Sequence, residues 1–190
     1  MRIGLLGGSF DPPHNGHLLA AGDAQTALDL DRLIFIPAAV QPLKVGQTTA
    51  TPEQRLAMVR LMVDDEPNLE VSAIEMERGG LSYTVDTLAA LAAKMPSAKL
   101  FWLIGADVPQ SFGKWREPER IVELATVVVL QRTGEIPDLS GLPGPPRLLP
   151  TRRFDVSSTE IRQRVREGKS IRGFVPDAVA AYIASERLYR

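Results

Sequence analysis

Apolar residues along this chain recur with two different periods. Short, nearly unbroken apolar runs at 3–6, 32–36, 99–104 and 126–130 are each closed by Gly, Pro or a polar cluster. Runs of that length and density are the mark of strands covered on both faces, as in parallel sheets. The run at 69–76 alternates well enough to read as one further strand, broken by Arg78, Gly79 and Gly80. Arg147 to Leu149 and Phe154 to Val156 read as short strands near the end of the chain.

The stretches between follow a helical period. Leu18, Ala21, Ala24, Ala27 and Leu28 share one face of a helix over 15–30, and Val85, Leu88, Leu91 and Ala92 form a stripe that stops before Pro96. Helix starts are marked by Thr51 followed by Pro52, by Thr84 or Ser82, and by Ser157. The first of these helices runs to about Asp64 and the last to Glu167, where Gly168 ends it; a short helix is expected over 118–124 and a final one from Pro176 to near Leu188. Two segments carry no period. Residues 38–50 read as a loop, and 133–146, dense in Gly and Pro, as an irregular surface excursion.

Strand, helix and strand in succession imply parallel strands joined by right-handed crossovers. The expectation is an α/β fold: an open, mainly parallel sheet with helices on both faces and further helices at the C-terminal end. At 190 residues the chain suits one domain, 1–190, with a substantial core.

Composition narrows the function mainly by exclusion. The chain is 44% hydrophobic and 24% charged, with a net charge of −1, which gives no electrostatic argument for nucleic acid or an acidic membrane surface. Any affinity for phosphate must be local. The absence of cysteine removes disulfides and thiol chemistry. No apolar run nears the ~20 residues that span a bilayer, and Met1 leads straight into a strand instead of a signal sequence, so a cytoplasmic location is the default expectation. Oligomeric state stays open, a homo-oligomer included.

The chemistry concentrates between the first strand and the first helix, where residues 7–17 read GGSFDPPHNGH. Gly7 and Gly8 let backbone approach a bound group closely, Pro12 and Pro13 stiffen the turn, and a helix opens at about His14 or Asn15. Free N–H groups and the positive end of the helix dipole favour a phosphate there. His14 and His17, the two histidines of the chain, are three apart and so face the same anion. With no cysteine, no third histidine and no HExxH spacing, a protein-bound metal is not expected.

GGSFDPPHNGH resembles the signature loop of the nucleotidyltransferase superfamily whose HxGH motif binds a nucleoside triphosphate. Its GGSFDPPH form is most similar to the bacterial nicotinate mononucleotide adenylyltransferases. The resemblance implies a Rossmann-like fold, transfer of AMP from ATP to nicotinate mononucleotide, and magnesium carried by the ATP. It also implies that Gly7, Gly8, Ser9, Phe10, His14 and His17 bind ATP, with the two histidines catalytic.

Later motifs extend the likeness. Ser157, Ser158 and Arg162 in SSTEIR match the superfamily's C-terminal motif, with Val156 in place of the usual Ile, and by resemblance hold the ATP phosphates from the side opposite the histidines. Lys44, in QPLK, stands where the family has a phosphate-binding lysine, although Leu43 replaces the histidine usual before it. Arg55 is a further candidate by position, with an ordinary helix-surface charge as the alternative. Gly105 and Asp107, past a central strand, are implied to meet the nucleotide, while Asp107 could equally be a cap.

SYTVDTL at 82–88 and GADVPQSFGKW at 105–115 resemble motifs particular to the nicotinate enzymes. Trp115 offers a flat face for a pyridine ring, worth about 0.5–1.5 kcal/mol beyond area burial. By resemblance, backbone N–H groups near Thr84 and Arg116 receive the nicotinate carboxylate, with Tyr83 and Thr84 shaping that end. The alternatives are a relative that uses nicotinamide mononucleotide or phosphopantetheine, and a catalytically silent nucleotide sensor.

Overall fold

In the computed structural model every residue is described except Val45, Thr133 and Glu135, with Lys44 and Arg132 described in backbone only. Six strands form one sheet: β1 (Arg2–Gly8), β2 (Arg32–Pro37), β3 (Leu69–Val71), β4 (Lys99–Gly105), β5 (Thr126–Arg132) and β6 (Arg147–Thr151). Their order is β3-β2-β1-β4-β5-β6 and every neighbouring pair is parallel. The expected open sheet is therefore parallel throughout. Strand order reverses on either side of β1, and at such a point the crossovers leave to opposite faces and open a crevice at the carboxyl ends of the strands.

Side chains of the central strands alternate between two cores. Leu6, Leu33, Phe35, Phe101, Leu103 and Val128 pack on one face against helices α1 (Asn15–Leu28) and α2 (Pro52–Val63). The helices α6 (Ser158–Arg166) and α7 (Asp177–Ser185) join that layer through Ile161, Val179 and Ile183. Ile3, Leu5, Ile34, Trp102, Ile104 and Val127 face the other way, toward α3 (Ile74–Arg78), α4 (Thr84–Lys94) and α5 (Pro118–Leu124). Burial on both faces is why these strands read as continuous apolar runs.

Three local expectations need correction. The run at 69–76 is not one strand: β3 ends at Val71, and Ile74 begins α3, whose Ile74 and Glu75 turn inward. Residues 154–156 form no strand, because the last strand is β6, and the chain runs without regular structure from there to Ser157. The first helix stops at Leu28, with Asp29 in the left-handed region at φ 50°. Residues 109–114, unassigned from sequence, form a 3-10 helix that carries the buried Phe112.

Candidate active site

The loop after β1 sits at the strand-order reversal. Phe10 takes a left-handed φ of 50°, and the Asp11–Pro12 peptide is cis. His14 is the N-cap of α1, extended at φ −150°. Its backbone N–H donates to Nδ1 of His17 at 3.1 Å, and the His17 N–H donates back to the His14 carbonyl at 2.9 Å. Because Nδ1 of His17 accepts, the ring proton of that imidazole sits on Nε2. The two rings stack at 3.7 Å, and the Phe10 ring meets His17 edge-on at 5.0 Å. Capping and packing thus fix both imidazoles together. His14 is only 7% exposed.

Both histidines line a cavity of about 780 Å³ together with Phe10, Gly16, Gly105 and Asp107. Ser157 and Ser158 line it as well. A side chain at Gly16 would come within 3.0 Å of His14 Nδ1, and one at Gly105 within 2.7 Å of Asp107 Oδ1. Glycine at these positions leaves room for the neighbouring polar groups.

The expectation of a free row of N–H donors at the start of α1 holds only in part. The Asn15 N–H is taken by the Phe174 carbonyl at 2.9 Å, and its side-chain amide by the Gly173 carbonyl. Ser9 and Arg162 are also placed differently from the sequence expectation. The Ser9 hydroxyl donates to Gln41 Oε1 at 2.6 Å. Arg162 stands behind the loop, with Nη1 donating to the Asp11 carbonyl at 2.7 Å. Ser157 caps α6 by accepting from the Glu160 N–H, and Ser158 donates to the Pro12 carbonyl at 2.8 Å. The C-terminal motif therefore grips the loop backbone. The Lys44 side chain lies outside the described residues.

A second, narrower cavity opens on the other side of Gly7, which lines both. Its walls include Gly8, Tyr83, Thr84, Trp102, Trp115 and Arg116. Trp115 stacks on Phe112 at 4.7 Å, and the Arg116 guanidinium lies 5.1 Å from the Tyr83 ring and 3.5 Å from Asp86. Thr84 is the first residue of α4, so its N–H has no acceptor within the helix. A Cβ at Gly7 would sit 2.6 Å from Trp102 Cη2. The strand backbone can separate the cavities so thinly because that residue has no side chain.

Four buried polar residues, of which Asp11 alone lies within the loop motif, build this region. The Asp11 carboxylate accepts from the Thr49 N–H at 2.7 Å, the Ala50 N–H at 3.1 Å and the Tyr189 hydroxyl at 2.8 Å. Burial, with the Asp11 carboxylate beside it, pushes the Tyr189 hydroxyl pKa upward. Arg55 is 1% exposed and no surface charge: its Nη1 donates to the Ser9 carbonyl at 2.7 Å and Nη2 to the Ala39 carbonyl at 2.9 Å. Burial lowers its pKa, opposed by the charge of Asp11. Glu75, 4% exposed, lines the second cavity, and burial raises its pKa. For Glu75 the only sequence signal is a charge within the run that reads as a strand, and for Tyr189 there is none.

The model of the cytidylyltransferase-like family matches residues 5–164. A relative from Gemmatimonas aurantiaca named "probable nicotinate-nucleotide adenylyltransferase" is 50% identical over 202 aligned positions, which cover 100% of this chain and 93% of that protein. One of the same name from Thermus thermophilus is 47% identical over 190 positions, covering both chains completely. Among solved structures, the Plasmodium falciparum nicotinic acid mononucleotide adenylyltransferase complexed with NaAD superposes with a TM-score of 0.81 at 17% identity, over 99% of this chain and 97% of that one. At that identity the likeness speaks for the fold alone. The chain belongs to the cytidylyltransferase-like family, alongside relatives that bear the nicotinate-nucleotide adenylyltransferase name over its full length.

Proposed function

We propose that the protein joins nicotinate mononucleotide to the AMP moiety of ATP, giving nicotinate adenine dinucleotide and pyrophosphate in NAD biosynthesis. The observation that carries this reading is the pair of cavities that share Gly7 as their wall. One is lined by histidines and a serine-capped helix start, the other by an aromatic face beside the first turn of α4. ATP occupies the first, with its phosphates toward His14 and His17, and the mononucleotide occupies the second.

The reaction is a single in-line displacement. A phosphate oxygen of the mononucleotide forms a bond to the α-phosphorus of ATP, the bond from that phosphorus to the bridging oxygen breaks, and pyrophosphate leaves with the electron pair. A phosphate monoester is an adequate nucleophile, so the protein supplies position and charge stabilisation. The Nε2–H of His17 donates to the phosphoryl oxygens where charge builds, His14 stacks beside it, and Lys44 approaches from the loop after β2. Arg162 and Ser158 act one step back, by holding the loop carbonyls of Asp11 and Pro12. Gly7, Gly8, Ser9 and Phe10 shape the floor, and Gly105 and Asp107 face the nucleotide.

At the other end the pyridine ring lies against Trp115. Its carboxylate accepts from backbone N–H groups at Thr84 and Arg116, while the Arg116 side chain stays with Asp86 and Tyr83. An amide in that place brings an NH2 where the site offers donors, which selects for the acid. ATP enters as its magnesium complex, the metal carried by the phosphates. Among the described residues no group of three or more His, Asp or Glu could hold a metal ion, and no helix is long and apolar enough to cross a membrane. Residues 1–190 work as one nucleotidyltransferase domain, in the cytoplasm.

The test is pyrophosphate release from ATP and magnesium with nicotinate mononucleotide, nicotinamide mononucleotide or phosphopantetheine as acceptor. Release is expected with nicotinate mononucleotide and far more slowly with the amide. Release with phosphopantetheine alone would sink the assignment.

A further inference from the structure

The second cavity has a feature that ligand contacts do not require: a buried acid in its wall, tied to the first turns of α4. Glu75 Oε1 accepts from the Thr87 hydroxyl at 2.6 Å, and Thr87 Oγ1 accepts from Arg78 Nη2 at 3.1 Å. A threonine has one hydroxyl proton to give. The Tyr83 carbonyl lies farther away, at 3.3 Å, so that proton goes to Glu75. Ser82 lines the same cavity as Glu75. Its Oγ accepts from the Ala39 N–H at 2.9 Å, which leaves its own proton to donate. The Ser82 N–H is bound to the Val40 carbonyl at 2.8 Å.

From Ala39 the path continues to the ATP side. The Ala39 carbonyl accepts from Arg55, whose other terminal nitrogen holds the Ser9 carbonyl in the phosphate loop. Short hydrogen bonds therefore link Ser9, Arg55, Ala39 and Ser82, and Glu75 with Thr87 forms a second tie in the wall of the same cavity. The second tie adjoins Tyr83 and Thr84, the residues that shape the carboxylate end of the mononucleotide cavity. A donor displaced by an ångström loses most of a charge-assisted hydrogen bond, whereas ring stacking tolerates such a shift.

We propose that Glu75 is a positioning residue for the mononucleotide cavity, holding the first turn of α4 at Tyr83 and Thr84 through Thr87 and so setting the preference for the acid over the amide. This rests on the assignment of that cavity to nicotinate mononucleotide. Arg55 is the shared tie: it fixes the Ala39 loop for the mononucleotide side and the Ser9 carbonyl for the ATP side. Slackening at Glu75 falls on the mononucleotide side, and slackening at Arg55 falls on both.

The experiment measures kcat and KM of the full chain and its variants for ATP, nicotinate mononucleotide and nicotinamide mononucleotide by pyrophosphate release. In Glu75→Ala the KM for nicotinate mononucleotide is expected to rise about tenfold or more, the loss of one hydrogen bond to a charged group. The acid-to-amide ratio of kcat/KM is expected to fall by a similar factor, with the KM for ATP nearly unchanged. Glu75→Gln keeps an acceptor oxygen for Thr87 and is expected to restore most of the ratio. Thr87→Val removes the hydroxyl that ties Glu75 to α4 without removing the buried acid, so it serves if Glu75→Ala does not fold, and a smaller fall in the same ratio is expected.

A purely structural role would lower the active fraction and leave the ratio alone. An unchanged acid-to-amide ratio in Glu75→Ala, or in Thr87→Val where that variant stands in, overturns the inference. A wild-type chain that releases no pyrophosphate with nicotinate mononucleotide overturns the functional reading beneath it.

Discussion

His17 has two nitrogens with separate duties, and substitution can remove them one at a time. Nδ1 accepts from the His14 N–H at 3.1 Å and so closes the first turn of α1. In the proposed reaction Nε2 carries the proton offered to the phosphates. In His17→Asn the shorter amide places an oxygen near the Nδ1 position and nothing near Nε2. In His17→Gln the longer amide reaches toward Nε2 and gives up the cap. Loss of one preorganised donor to a charged transition state costs about 2.7–4 kcal/mol, or roughly 10²–10³ in kcat. Loss of a helix cap costs about 0.5–2 kcal/mol of stability.

His17→Asn is thus expected to keep the wild-type denaturant midpoint and lose turnover by about a hundredfold or more. His17→Gln is expected to lose stability by about 1 kcal/mol and retain more of the turnover. Both are read from urea unfolding curves and from single-turnover pyrophosphate release, which separates chemistry from product release. Near-normal turnover in a well-folded His17→Asn would refute the donor role, and an unchanged midpoint in His17→Gln would refute the cap.

Tyr189→Phe removes the buried hydroxyl from the Asp11 carboxylate at 2.8 Å and is expected to cost about 1.5–3 kcal/mol, seen as a lower Tm or urea midpoint. Gly7→Ala puts a methyl 2.6 Å from Trp102 Cη2 in the wall between the cavities. It is expected to lose about 1–3 kcal/mol of stability and to raise KM for both substrates in steady-state assays. Burial raises the Glu75 pKa against the opposing hydrogen bonds of Thr87 and Ser82 and the charge of Arg78, so the folded state holds this proton more tightly than the unfolded chain. The resulting stability is complete below the ordinary value of 4.5 and is lost as pH rises through the raised folded value. Glu75→Gln has no proton to lose there, so its Tm is expected to gain on wild type as pH rises from 4.5, and a gap constant with pH would contradict the buried charge.

Much of this was legible along the chain because the signals are local. A strand buried on both faces must be apolar at every position, and β1, β2, β4 and β5 accordingly stood out. Thr51 followed by Pro52 marked the start of α2 because capping depends on residues within one turn, and the structure shows Thr51 accepting from the Gln54 N–H. GGSFDPPHNGH stood out as a candidate phosphate loop through glycines, prolines and a helix start that all lie within eleven consecutive residues. The strand reading of 69–76 failed for the matching reason. Short apolar stretches suit a strand or a buried helical turn equally, and packing of Ile74 and Glu75 under the sheet decided for α3.

The sequence by itself determined β1, β2, β4 and β5, the capped starts of α2 and α6 and the candidate phosphate loop, since each depends on neighbours in the chain, whereas α4 begins after Tyr83 and not on a Ser82 or Thr84 cap. Only the tertiary structure decided what the buried charges do. Arg55 looked like a surface residue until its two terminal nitrogens were seen on the carbonyls of Ser9 and Ala39. Asp11 meets Tyr189 from 178 positions away, and Arg162 reaches the Asp11 carbonyl from 151. A charged side chain is buried only where partners converge to replace its water, and that convergence is a property of the folded chain.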